Sequence, residues 1–124
     1  MDTSEIMTAI QTYFDACYFN SAEKRREVFH SAAHIYRRDN DGTLIDRDRE
    51  QFITSKTLET SGPQNTDFPR QDEIISIDFT GENTAVVRVK LRVKNILFTD
   101  ILSFIYLDGK WTIISKLASG VPIM

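Results

Sequence analysis

The chain is short of the residues from which small metal and redox sites are built. Its 124 residues include one cysteine, Cys17, and two histidines, His30 and His34. A lone thiol closes no internal disulfide, so a disulfide scaffold is excluded. Cys17 falls in a helical apolar pattern and reads as a small buried hydrophobe rather than a nucleophile. No CxxC, HExxH, GxGxxG or GxxxxGKS/T spacing occurs, so the common zinc and phosphate motifs are missing. Neither a metal nor a cofactor is expected. No run approaches the roughly 18 apolar residues of a membrane helix. The opening, Met1-Asp2-Thr3-Ser4-Glu5, is acidic where a signal peptide is basic. The expected location is therefore the cytoplasm. There is no internal repeat, and no room for a separate nucleotide-binding domain.

What is present is an ordinary globular balance, 41% hydrophobic and 27% charged, with a formal net charge of −3. One domain over residues 1–124 accommodates it. Eight Phe, four Tyr and one Trp are generous for that length. The first half has helical spacing. Ile6, Ile10, Tyr13, Phe14 and Cys17 make one face of a long helix, opened by a capping box between Asp2 and Glu5. Asn20-Ser21 ends it, and Asn20 caps a short second helix that buries Val28 and Phe29. A strand over His34–Arg38, an Asn40-Asp41-Gly42 turn and a return over Thr43–Asp46 follow. Asp48 with Gln51 opens a third helix through Phe52, Ile53 and Leu58, which stops at Ser61-Gly62-Pro63. Residues 61–70 form a polar loop.

From Gln71 the period changes to two. Ile74–Thr80, Thr84–Lys94, Leu97–Leu107 and Lys110–Ala118 read as an antiparallel meander. The fold class is α+β, with the helices on one face of a curved antiparallel sheet. Asp108-Gly109 is the strongest hairpin signal; Asn95-Ile96 is weaker, because isoleucine resists positive φ. Turn length fixes register. It places Ile75, Ile77 and Phe79, then Val87 to Val93 and Phe98 to Tyr106 at alternate positions, on one face. Trp111, Ile113, Ser115 and Leu117 join them. The one charge among them is Asp100. A carboxylate in such company loses solvation worth several kcal/mol unless it is paired or neutral. It is either a functional group or a structural one, wet at the rim or bound to an arginine or a backbone N–H. The opposite face carries Arg88, Lys90, Arg92, Lys94 and Lys116. With a net charge of −3 they read as a solvated surface, so no nucleic-acid partner is expected. Ile101, Ile105 and Ile114 form an apolar patch on that face, expected to join two copies in a homodimer.

Other candidates carry alternatives. His30, following the second helix, is a general acid or base, or a helix-end hydrogen bond. Arg70 neutralises Asp100, clamps an anionic ligand, or lies on the surface. Tyr13 and Tyr36 offer hydroxyls to orient a ligand, or pack in the core. Leu91, Phe98 and Ser115 complete the expected ligand-contacting set.

Several segments together resemble a known group. They are Tyr13-Phe14, Val28-Phe29-His30, Asp41-Gly42-Thr43-Leu44 and Gln51-Phe52-Ile53, then Ile75-Ser76-Ile77-Asp78 and Thr84-Ala85-Val86-Val87. Phe98-Thr99-Asp100-Ile101-Leu102 and Asp108-Gly109-Lys110-Trp111-Thr112-Ile113 with Ser115-Lys116 complete them. The chain resembles the nuclear transport factor two-like superfamily, and within it a small bacterial group labelled putative lumazine-binding. The resemblance implies a cystatin-like cone: a curved sheet around three N-terminal helices, a pocket at the open end, and dimers through the outer sheet face. It implies an acid or base role for Asp100, a place near the pocket mouth for His30, and a wall of Tyr13, Phe14, Phe52, Phe104 and Trp111. Related families include ketosteroid isomerase, scytalone dehydratase, limonene epoxide hydrolase and SnoaL-like polyketide cyclases. The Tyr-plus-Asp oxyanion pair of the first and the Arg-bridged carboxylates of the third have no match here.

Three functions follow as expectations. The first is binding of a small apolar or aromatic ligand. The second is a cofactor-free isomerase, dehydratase or cyclase with Asp100 as general base. The third is a dimeric scaffold with a filled cone.

Overall fold

The computed structural model of the chain describes residues 3–57 and 62–123. Helix α1 (Ser4–Tyr18) buries Ile6, Ile10, Tyr13, Phe14 and Cys17, the face that the spacing predicts. Each large apolar side chain so removed from water contributes on the order of 1.5–3 kcal/mol. Thr3 stands at its N-cap. Asp2 of the expected capping box lies outside the described residues, as do Leu58 and Ser61 at the expected end of the third helix.

Asn20 follows α1 with a φ of 50°, in the left-handed region that asparagine tolerates. An N-cap needs extended backbone, so Asn20 is not the cap of α2 (Ala22–Val28). Ser21 is: its Oγ accepts the Lys24 N–H at 3.1 Å. α2 stops at Val28 and the chain runs straight into β1 (Phe29–Arg38), which begins well before His34. β2 (Leu44–Asp48) leads into α3 (Arg49–Thr57). The capping box expected there is present: Asp48 N–H donates to Gln51 Oε1 at 2.9 Å, and Gln51 N–H to Asp48 Oδ1 at 2.8 Å.

A short 3-10 turn at Asn65–Asp67 precedes β3 (Asp72–Phe79), β4 (Thr84–Val93), β5 (Ile96–Leu107) and β6 (Lys110–Pro122). The six strands lie in the order β2-β1-β6-β5-β4-β3. β1 pairs with β6 in parallel, so the sheet is mixed rather than wholly antiparallel. Parallel pairing needs a long connection, and the whole meander supplies it.

Three local features set the faces. Asp108 and Gly109 turn with φ of 52° and 81°, as a type I′ hairpin requires. The β4–β5 turn is Lys94-Asn95, not Asn95-Ile96; Lys94 takes the positive φ of 54° that isoleucine resists. Sliding a two-residue turn by one position changes the partners but not the faces, so Leu91 still meets Phe98 and Val89 meets Asp100. The third feature is a pair of β-bulges. Ile75 is the extra residue of β3, so Ile74 turns inward in its place. Ile114 is the extra residue of β6, between the pairs Phe104–Ile113 and Ser103–Ser115. Beyond it every side chain changes face. Lys116 turns inward and is 8% exposed, while Leu117 turns outward and is 51% exposed. Ser115 goes outward with it. The inner face packs Val87, Val89, Leu91, Leu102, Phe104, Trp111 and Ile113 against α1 and against Phe29 and Phe52.

Arg70 ties this layer together at the start of β3. Its Nη2 meets Asp15 Oδ1 of α1 at 2.6 Å, and its Nε meets Asp72 Oδ2 at 2.7 Å. The guanidinium also lies over the rings of Tyr18 and Phe19. The Arg70 hydrogen bond holds the Asp15 carboxyl below its ordinary range. A depressed carboxyl pKa stabilises the fold above the unfolded value, about 3.9, and the gain is lost as pH falls through the folded value. Arg70→Gln is expected to lower stability by about 1 kcal/mol near neutral pH, with the gap to the parent protein closing below about pH 3. Urea denaturation across that range measures it; a gap that persists in acid would show that the ring contacts, not the ion pair, carry the effect.

Candidate functional site

The site is built around one buried carboxylate. Asp100 sits in the middle of β5, opposite Val89 on one side and Ala118 on the other. It is 1% exposed. Its Oδ2 accepts the Tyr13 hydroxyl from α1 at 2.5 Å. Lys116 Nζ stands 3.7 Å from the same oxygen. The ammonium also lies over the Tyr13 and Phe52 rings, 5.2 and 5.0 Å from their centroids. Burial holds the Tyr13 phenol well above its ordinary pKa, and the Asp100 charge pushes it the same way. Tyr13 is therefore a fixed donor over the physiological range.

Asp100 lies on the wall of a cavity of about 100 Å³. Leu91, Val93 and Phe98 from the sheet, Ile35 and Ile45 from the first hairpin, and Phe52 from α3 supply its apolar walls. The cations Arg25, Arg37, Arg47, Lys56, Lys94 and Lys116 also line it. Arg37 and Arg47 enter because they share one face of the hairpin with buried Ile35 and half-buried Ile45, where Ile35 meets Arg47 and Arg37 meets Ile45. Arg25, 4% exposed, is set by Asn20, whose Oδ1 accepts from Nη1 at 2.6 Å, and by the Phe52 ring 5.5 Å below its guanidinium carbon. Asn20 also donates to the Lys56 carbonyl at 3.1 Å, which ties α3 to the same point. Asn65 pins the loop at the rim. Its amide donates to the Cys17 and Tyr18 carbonyls at the end of α1, and its Oδ1 accepts the Lys94 N–H at 2.6 Å.

Among the described residues, two buried side-chain atoms have no hydrogen-bond partner: Asp100 Oδ1 and Arg25 Nε. Both residues line this one cavity. Buried polar groups are otherwise paired in nearly every fold, so two unpaired atoms on one cavity mark a place where a polar partner belongs.

Of the residues singled out in the sequence, Asp100, Phe52, Leu91 and Phe98 meet at the cavity, and Tyr13 reaches it through Asp100. Phe14, Phe104 and Trp111 do not line it; they pack in the core, and Trp111 also lines a second pocket beside α1. Tyr36 is on the outer face, stacked on His34. Ser115 is outward because of the bulge. His30 lies in β1, not at a helix end, and its Nδ1 accepts the Ala32 N–H at 2.9 Å. Arg70 is engaged by Asp15 and Asp72 and does not reach Asp100. Lys116, read in the sequence as an outer cation, is the residue most clearly missed. The adjacent Ile113-Ile114 breaks the alternation and was the available signal of a bulge. Among the described residues no cluster of His, Cys, Asp and Glu could hold a metal ion, and no helix is long and apolar enough to cross a membrane.

A family model described as "Putative lumazine-binding" matches residues 1–118. No curated protein matches the chain. Solved structures are similar over nearly its whole length. An NTF2-like protein of unknown function from Shewanella baltica shares 23% identity with a TM-score of 0.83, covering 95% of this chain and 92% of its own. One from Silicibacter pomeroyi shares 21% at a TM-score of 0.82, covering 98% and 100%. One from Methylobacillus flagellatus shares 26% at 0.79, covering 97% and 92%. The chain has the NTF2-like, α+β fold.

Tyr13→Phe is expected to cost about 2 kcal/mol at neutral pH, the worth of one hydrogen bond to a buried charge. The unfolded phenol ionises near pH 10 and the folded one does not, so the parent protein loses this stability as pH rises past about 10. The gap between the two proteins should narrow there. Denaturation midpoints at about pH 8 and pH 11 decide it; an unchanged midpoint at pH 8 would remove Tyr13 as a support of Asp100.

Proposed function

The chain belongs to the putative lumazine-binding family, and on that premise we propose that it binds a compact small molecule in the Asp100 cavity. The observation that carries this is the pair of unpartnered atoms, Asp100 Oδ1 and Arg25 Nε, on residues that line one cavity. Asp100 Oδ1 accepts an N–H or O–H of the ligand, and Phe52, Phe98 and Leu91 pack against its apolar body. The volume limits its size. About 100 Å³ is well under the roughly 300–1,000 Å³ of sites for drug-sized ligands. It suits a molecule with one ring, and it favours binding over a filled scaffold. A second reading keeps Asp100 as the general base of a cofactor-free isomerase, dehydratase or cyclase. The unpartnered Oδ1 favours it, with Lys116 as the cation nearest to developing negative charge.

Phenol, with one ring, is the fitting probe and lumazine, with two fused rings, tests the size limit; both are followed by NMR on the labelled protein. The expected result is shifts confined to the amides of Asn65, Lys94, Phe98 and Ala118. Asp100→Asn should weaken binding about tenfold, the loss of one charge-assisted hydrogen bond, and should also lower the melting temperature, because Tyr13 and Lys116 lose the charge they meet. Unmoved cavity amides with both probes would count against ligand binding. An Asp100→Asn variant that folds and binds the probes as tightly as the parent would leave the carboxylate a structural partner only.

We also propose that a second copy covers the outer sheet face. The half-buried Ile101, Ile105 and Ile114 lie there, next to Leu117 and Val121, which are 51% and 57% exposed. Such a patch is self-complementary about a two-fold axis. The single buried thiol, Cys17, fits a reducing compartment such as the cytoplasm. Leu117→Asp should shift the elution volume from dimer to monomer without loss of fold; a parent protein that elutes as a monomer refutes the interface.

A further inference from the structure

The charge on the cavity wall is lopsided. Six cationic side chains line it against the single carboxylate of Asp100. The chain as a whole carries a formal net charge of −3, so this excess is local. Four of the six have partners within the protein, Lys56 among them. Lys116 faces Asp100, Arg37 stands 3.7 Å from Asp39, and Arg47 donates to Ser55.

Arg25 is the most deeply buried of the six and faces no described carboxylate. It is 4% exposed and always protonated. Its neighbours are the neutral Asn20 amide and the face of the Phe52 ring. No described carboxylate is within ion-pair distance, and its Nε donates to nothing. Taking a guanidinium out of water costs several kcal/mol unless an anion faces it. The two neutral contacts recover only part of that. They fix the guanidinium in place and leave its Nε–H without an acceptor, a donor that a carboxylate satisfies.

We propose that the ligand of this cavity is a compact organic acid whose carboxylate is met by Arg25. The inference rests on the ligand-binding reading above and adds the charge of the ligand to it. The apolar walls hold a small aliphatic or aromatic body, and Asp100 accepts a donor carried elsewhere on the same molecule. A larger anion such as a nucleotide does not fit a space of about 100 Å³.

Benzoate and benzyl alcohol make the test, because they share the ring and differ in charge. Both are titrated into the full chain and followed by NMR, with melting temperature recorded in parallel. Benzoate should bind at least about tenfold more tightly than benzyl alcohol, with shifts at the cavity amides. Arg25→Met should abolish that preference and raise the melting temperature of the free protein, since it removes an unpaired buried charge. Arg25→Lys should retain part of the preference. Equal binding of the two probes would overturn the inference and leave the ligand-binding reading standing. Binding of neither would overturn both. The comparison of the two probes on the parent protein decides the matter even if Arg25→Met does not fold.

Discussion

The structure is organised around the burial of one carboxylate. Asp100 lies in the middle of a central strand, out of contact with solvent, on the face where the helices pack. Such a group is unfavourable unless the protein brings donors and a cation to it. The donor comes from the middle of α1, as the Tyr13 hydroxyl. The cation comes from β6, as Lys116. Neither is near Asp100 in sequence, so the carboxylate couples the long helix to two strands of the sheet. The bulge at Ile114 is part of the same arrangement. Without it Lys116 would face outward and Leu117 would stand over Asp100.

Pairing at Asp100 is incomplete, and that is what separates a site from a core. One oxygen is held and the other is not. On the same cavity a buried arginine is held by an amide and a ring but meets no anion. Core polar groups are satisfied by the fold itself, and these two are not. The aromatic surplus divides along the same line. Phe104, Trp111, Phe79 and Tyr106 fill the other end of the layer, with Trp111 edge-on to its two ring neighbours. Phe52 and Phe98 are left to the cavity.

Much of this was legible in the residues. The apolar face of α1, the Asp48–Gln51 capping box and the Asp108-Gly109 turn depend on side chains a few positions apart, and local chemistry settled them. The inward face of β4 and β5 was also legible. The turn between them was misplaced by one residue, but alternation has a period of two, so Asp100 stayed on the inner side. The site was less legible. His30, Tyr36, Ser115 and Arg70 were drawn by residue type, and type does not say which way a side chain points. Arg37 could have been found, since it shares a strand face with Ile35. Arg25 could not: one cation in the Lys24-Arg25-Arg26 run of a short helix has the same pattern whether it is buried or solvated.

The sequence by itself determined the element types, the inward face of β4 and β5 and the presence of one carboxylate among apolar neighbours. These follow from periodicity and turn chemistry, which act over a few residues. Only the tertiary structure decided what surrounds that carboxylate. The parallel pairing of β1 with β6 brings Ile35, and with it Arg37, beside Lys116. The bulge turns Lys116 inward, and Asn20 with Phe52 sets Arg25 at the same cavity. Pairing of distant strands and the closing of a layer are long-range events, and the balance of charge in an enclosed space exists only once they have happened.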